Sequence, residues 1–399
     1  MENSSRLHDA LVQVLGQEPN WLDVRHLKTL AWMMVGLIAS HVISLAEWSP
    51  FVHSRAQYAQ STVRRFRRWL GNKRICVHQL YQPLIRQALS EWGENRLYLA
   101  LDTSLLWNKY CIIRISLIYR GRAIPLVWIV IAHASSAVAF EVYKDLLSKA
   151  AILLSPFNCR VMFLADRGFA DTDLMAYAGK LGWCWHIRVK ACFVVHRPGH
   201  RSCKIGRVVP AAGQAIFWHN VHITGQRYGP VHIALARHPH RKEVWIVVSN
   251  EPTDMKTFVE YGLRFDIEEN FLDDKSNGFQ LEESLIDDAD ALNRLCFVLA
   301  ITTLYLVSQG TVVVEQGQRR IVDAHWFRGS SYLKIGWKWV KHILSASGVH
   351  CPGLGLLTKL RLSSGSDPDP AIASRKQQAR SKMPVFQTTM ADFASVICL

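Results

Sequence analysis

Between residues 97 and 190 the chain alternates apolar runs with amphipathic stretches in an order that few architectures accommodate. LYLALDTS (97–104) is a short apolar run ending in polar residues. CIIRISLIYRGRAIPLVWIVI (111–131) reads as two strands meeting at Arg120-Gly121-Arg122, a hairpin signal. VAFEVYKDLLSKAAILL (138–154) has helical spacing, RVMFLAD (160–166) is another strand, a helix is expected near 171–181, and GWCWHIRVK (182–190) is strand-like again. Strand, hairpin, helix, strand, helix, strand predicts a mixed α/β sheet covered by helices.

The flanks are of different character. Residues 7–90 repeat apolar residues every three or four positions with few Gly or Pro, which predicts a helical region. Residues 191–250 hold short β-like pieces separated by Gly and Pro, which reads as a β-rich insertion. Helices are expected again at 254–275 and 281–308. The expected division is a helical region over 1–90, an α/β core over 91–310 carrying the insertion at about 191–250, a helical part over 311–362, and a flexible basic tail over 363–399.

Lys and Arg exceed Asp and Glu by 47 − 32 = 15. Such a surplus favours a polyanionic partner, nucleic acid or an anionic membrane face. Four of the cations, Arg64, Arg65, Arg67 and Arg68, lie in STVRRFRRWLGNKR (61–74) around Phe66 and Trp69. A helix built from this run is either a solvated face or a phosphate-contacting surface, and the absence of any compensating acid favours phosphate. Residues 29–46 and 296–314 are uncharged and near the lower limit for a membrane span, but Ser40, His41, Thr302, Thr303 and Gln309 punctuate them. They read as core helices, with a basic membrane-associated protein as the alternative. Nine scattered cysteines without a CxxC pair, behind a polar start, fit reduced thiols in the cytoplasm.

The residues able to do chemistry fall in three places. Asp102 ends the first apolar run and Asp166 the fourth, so both are expected where a buried strand meets solvent. The third place is YGLRFDIEENFLDDK (261–275). Drawn as one helix with Tyr261 at zero, Arg264, Glu268 and Lys275 fall at about −60°, −20° and −40°, one narrow stripe. One acid beside two cations and a phenol is suited to phosphate, because the cations bind phosphate oxygens while carboxylates bind a hard divalent ion. His219, His222, His232, His238 and His240 with Cys192 or Cys203 match no familiar zinc spacing, and alternating histidines read better as a strand face.

The pattern Asp102 … Asp166-Arg-Gly-Phe … Tyr261-x2-Arg264-x3-Glu268-x6-Lys275 resembles the DDE transposases of bacterial insertion sequences, within them the subgroup bearing the Y-R-E-K signature. The likeness spans roughly residues 60–310, and its specific part is the four-residue set. It implies a ribonuclease H-like fold, two Mg²⁺ or Mn²⁺ ions held by Asp102, Asp166 and Glu268, and cut-and-paste movement of a DNA element. It further implies that Tyr261, Arg264 and Lys275 grip phosphates beside the cut, and that active protein is a homodimer on paired ends, associated with the nucleoid. Subgroup members pass through a hairpin and stack a flipped base on a Trp of the insertion. Trp218 and Trp245 are the candidates, each with a core role as its other reading. A DNA-binding relic without activity is the rival within the same resemblance.

Overall fold

Among the described residues ten strands join one mixed sheet, in the order β3-β2-β1-β4-β5-β10-β9-β8-β6-β7. They are β1 (Leu97–Leu106), β2 (Tyr110–Tyr119), β3 (Arg122–Ala132), β4 (Val161–Ala165), β5 (Cys184–Arg188), β6 (Val194–His196), β7 (Cys203–Lys204), β8 (Ala215–Ile223), β9 (Tyr228–Arg237) and β10 (Val244–Ser249). β1, β4 and β5 run parallel, and the other neighbours pair antiparallel. The computed structural model describes residues 2–345 and 360–363, apart from 18–20, 54–55, 94–95, 241–242, 276–277 and 327–329. The expected tail over 363–399 therefore lies, but for its first residue, outside the described residues.

The β2–β3 hairpin forms where expected. Tyr119 pairs with Arg122 across a two-residue turn in which Arg120 (φ 47°) and Gly121 (φ 77°) are both left-handed. Those signs belong to the primed turns that match the twist of the flanking strands. β2 is buried along its whole length, because helices cover both faces of this half of the sheet.

Helices α1 (Glu2–Leu15), α2 (Val24–Ser40), α3 (Leu45–Trp48), α4 (Ala59–Leu70) and α5 (Val77–Ala88) precede the sheet. α6 (Phe140–Leu154) and α7 (Thr172–Lys180) are its crossovers, from β3 to β4 and from β4 to β5. After β10 come α8 (Met255–Gly262), α9 (Phe265–Lys275), α10 (Ala289–Glu315), α11 (Arg319–Val322) and α12 (Tyr332–Ser345). α10 is the one helix among the described residues long and apolar enough to cross a membrane, and its apolar window is wholly buried inside the protein. Gly310 on α10 and Gly336 on α12 let the two backbones touch: a Cβ on Gly336 would lie 1.8 Å from the Leu306 carbonyl oxygen. The N-terminal helices close around the same axis. Trp69 stacks on Phe297 at 6.4 Å, the Arg294 guanidinium donates to the Leu70 carbonyl, and the Trp337 indole donates to that of Ile38.

Two expectations are corrected. β1 does not end at Asp102 but runs to Leu106, because β2 continues to pair with it beyond that point. The expected helix 254–275 is broken into α8 and α9 at Leu263-Arg264. In the β-rich stretch β10 pairs with β5 and carries β9, β8, β6 and β7 on as an extension of the central sheet.

Candidate active site

β1 and β4 are parallel neighbours with Leu101 opposite Ala165, so Asp102 and Asp166 come next in line, side by side on one face. β4 stops at Ala165, and Asp166 leads into a short turn of 3₁₀ helix (Arg167–Phe169). The chain leaves β1 toward β2 on one side and leaves β4 toward β5 on the other. The carboxyl ends of strands at such a divergence form a crevice that ligands favour in open α/β sheets.

The α8–α9 junction delivers the remaining groups. Leu263, Arg264, Asp266 and Ile267 each donate a backbone N–H to the carbonyl three residues earlier. This tighter winding advances about 120° per residue, which sets Tyr261 and Arg264 over one another. The Tyr261 hydroxyl donates to Asp166 Oδ1 at 3.2 Å. The Arg264 guanidinium forks: Nη1 donates to Asp102 Oδ2 at 3.2 Å and Nη2 to Glu268 Oε1 at 2.7 Å. Five residues drawn from β1, the end of β4 and the α8–α9 unit thus form one connected cluster.

Burial shapes its charge. Asp102 is pushed up to about 6, first by burial and then by the nearby Glu268 and Asp166 carboxylates, against the opposing pull of Arg264 and the Thr103 N–H. Burial also raises the Tyr261 phenol, which stays a neutral donor. Arg264 is held above its ordinary value, its acidic neighbours outweighing burial, and remains a cation. Glu268 is more open than Asp102, with 43% of its side chain exposed against 19%.

Two buried ionic anchors, neither expected from the sequence, hold the α8–α9 unit in place. Glu260, beside Tyr261, accepts from the Arg96 guanidinium and the Tyr98 hydroxyl at 2.9 Å and lies 3.0 Å from His186 Nε2. Burial alone would raise the Glu260 carboxyl; these partners overcome it and hold the group down at about 2. Arg114, directly across from Asp102 on β2, is fully buried and donates to Asp274 at 2.6 Å and to Asn270 at 2.8 Å, with its guanidinium over the Phe271 ring. Arg122 reaches Asp273 at 2.9 Å. The acids of the FLDDK run therefore clip α9 to the sheet. The signal in the sequence was the single Arg inside the apolar run CIIRISLIY.

Other expected residues lie apart from the cluster. Lys275 donates to the Leu105 carbonyl and faces Glu282 at 3.8 Å, so it braces the end of β1. Trp245 is buried and packs edge-on against Tyr261 at 5.5 Å, which makes it the wall behind the phenol, with no face open to a flipped base. Trp218 is 9% exposed and carries the Arg197 guanidinium 4.6 Å from its ring centroid. Arg64, Arg67 and Arg68 are exposed on α4, whereas Arg65 is half-buried over Phe66 with two guanidinium nitrogens unpartnered. His219 and His232 meet through their Nδ1 atoms at 3.1 Å.

Among the described residues no group of three His, Cys, Asp or Glu side chains is arranged to hold a metal ion. The donors gathered at the cluster are hard carboxylate oxygens of the kind Mg²⁺ takes. They do not form a ligand set as they stand, because the Arg264 fork ties Asp102 and Glu268 to a cation already present. No family model matches this chain, and no curated protein matches it.

Proposed function

We propose that the protein is a DDE transposase with a ribonuclease H-like core, cutting and joining the ends of a mobile DNA element in the cytoplasm, on the nucleoid. The observation that carries this reading is the convergence of Asp102, Asp166 and Glu268, with Tyr261 and Arg264 bonded among them, across 166 residues of sequence. A hairpin followed by two parallel crossovers, with acids side by side where the parallel pairing of β1 and β4 stops, supports the ribonuclease H-like part of the proposal. Asp102, Asp166 and Glu268 are the carboxylates that would hold Mg²⁺ or Mn²⁺. Such ions, when bound, supply charge neutralisation at a phosphodiester and activation of its attacking oxygen.

The chain's own parts then divide the work. Asp102 within β1 and Asp166 just after β4 stand on a rigid sheet, while Glu268 rides on a helix clipped to that sheet by Arg114 and Arg122. Tyr261 fixes the Asp166 carboxylate through its hydroxyl. Arg264, a planar fork, matches phosphate oxygens as well as carboxylates. Lys275 supports the site by holding the far end of β1. A homodimer pairing two element ends fits the proposal. The test is whether purified protein cuts the DNA flanking its own reading frame when Mg²⁺ is supplied.

The proposal also assigns α4 to the DNA backbone. Replacing Arg64, Arg65, Arg67 and Arg68 together by Ala should weaken binding and flatten its salt dependence. Each lost phosphate contact removes about 0.9 from the slope of log K against log salt, so three exposed arginines should remove about 2–3. Binding titrations at four salt concentrations measure this, and an unchanged slope would make the run a solvated face.

A further inference from the structure

We propose that Arg264 is an internal counter-cation that occupies the place of a metal ion between Asp102 and Glu268 in the resting protein, and that it gives up these carboxylates when a divalent cation binds. The inference rests on the reading of the carboxylates as a metal site and deepens it. Two acids that approach one another while partly buried repel, and an unpaired buried charge is costly. Here the repulsion is offset by one guanidinium donating to both, at 3.2 and 2.7 Å.

The surroundings hold the fork between the two acids in the resting protein. Arg264 sits at the break between α8 and α9, its side chain is only 4% exposed, and its guanidinium lies 4.6 Å from the Phe265 ring centroid. Its Nε is buried without a partner, and the side chain is held by the two carboxylates and by the Tyr261 and Phe265 side chains packed against it. Arg264 therefore has two successive partners available: the carboxylates it now bonds, and phosphate oxygens once those carboxylates are engaged elsewhere. Its guanidinium keeps the two acids converged before a divalent cation binds. The consequence is that metal binding competes with an internal cation, and affinity in the absence of DNA is held down.

The test uses Mn²⁺ alone, with full-length, DNA-free protein, read by the loss of the free-ion paramagnetic resonance signal. Arg264→Gln should bind Mn²⁺ about tenfold tighter than wild type, a difference of about 1.4 kcal/mol. Arg264→Gln combined with Glu268→Gln should lose that gain. Equal or weaker affinity in Arg264→Gln, or a gain that survives in the double variant, overturns the role of Arg264 while leaving the carboxylates as a metal site. Absence of binding in both wild type and Arg264→Gln removes the metal-site reading and this inference with it. If Arg264→Gln unfolds without metal, recovery of its near-ultraviolet circular dichroism on adding Mn²⁺ is the same result read through folding, and failure to recover overturns it.

Discussion

Asp102→Asn, Asp166→Asn and Glu268→Gln are each expected to slow cleavage of element-end DNA by about a thousandfold or more while still binding that DNA. Each amide keeps the size of the acid and removes its anionic charge, so it cannot hold a divalent cation as a carboxylate does. Lewis-acid assistance is worth several kcal/mol, and about 4 kcal/mol corresponds to a thousandfold in rate. Binding survives because phosphate contacts made by basic side chains dominate affinity. Single-turnover cleavage alongside gel-shift titration separates the two effects. Glu269 is the internal control: it faces Arg122 at 3.9 Å, outside the cluster, so Glu269→Gln should cut normally. Retained cutting by Glu268→Gln would remove Glu268 from the site.

The largest effect on stability is expected at Arg114. Arg114→Met leaves Asp274 fully buried without its cation, and breaking a buried pair from one side costs about 3–5 kcal/mol. For a chain of this size the melting temperature should fall by roughly 5 °C. Arg114→Met with Asp274→Leu should recover most of the loss, because two apolar groups replace the pair and no charge is stranded. Thermal denaturation of the wild type, Arg114→Met, Asp274→Leu and the double variant closes the cycle. Since α9 carries Glu268, Arg114→Met should also slow cutting even at temperatures where it remains folded. A melting temperature unchanged in Arg114→Met would mean that α9 is held by packing alone.

The alternation of apolar runs made the central strands and both crossover helices legible, because strand and helix periods differ and the hairpin turn carries its own residue signature. Boundaries governed by pairing partners were not legible. Asp102 lies inside β1 because β2 continues to pair beyond the point where β4 stops, and nothing local to LALDTS encodes that. The stretch read as a β-rich insertion, and its junction with the central sheet was not legible, since the pairing of Val247–Ser249 with His186–Arg188 that joins it is non-local.

The candidate site was legible in its members and less so in its geometry. The one-helix stripe is in fact a break, and the tighter turn there brings Tyr261 and Arg264 together while Lys275 is left at the far end of α9. Arg264 was expected to face phosphate, and in the structure it holds carboxylates. A guanidinium serves either anion, so residue type alone does not decide between them. The anchors Glu260 and Arg114 were missed for a related reason: a buried ion pair needs its distant partner, 164 residues away for Arg96 with Glu260, before either charge makes sense.

The account stands or falls on what the protein does to DNA. Duplexes carrying the sequences at both boundaries of the surrounding element, labelled on each strand in turn, should be incubated with purified protein and Mg²⁺ and the cut positions mapped to the nucleotide. The expected result is cleavage at the element boundaries that needs the metal, needs Asp102, Asp166 and Glu268 together, and exposes a 3′ end that joins to another DNA strand. Binding of those duplexes without any metal-dependent cut, by wild-type protein whose three acids are intact, would contradict it.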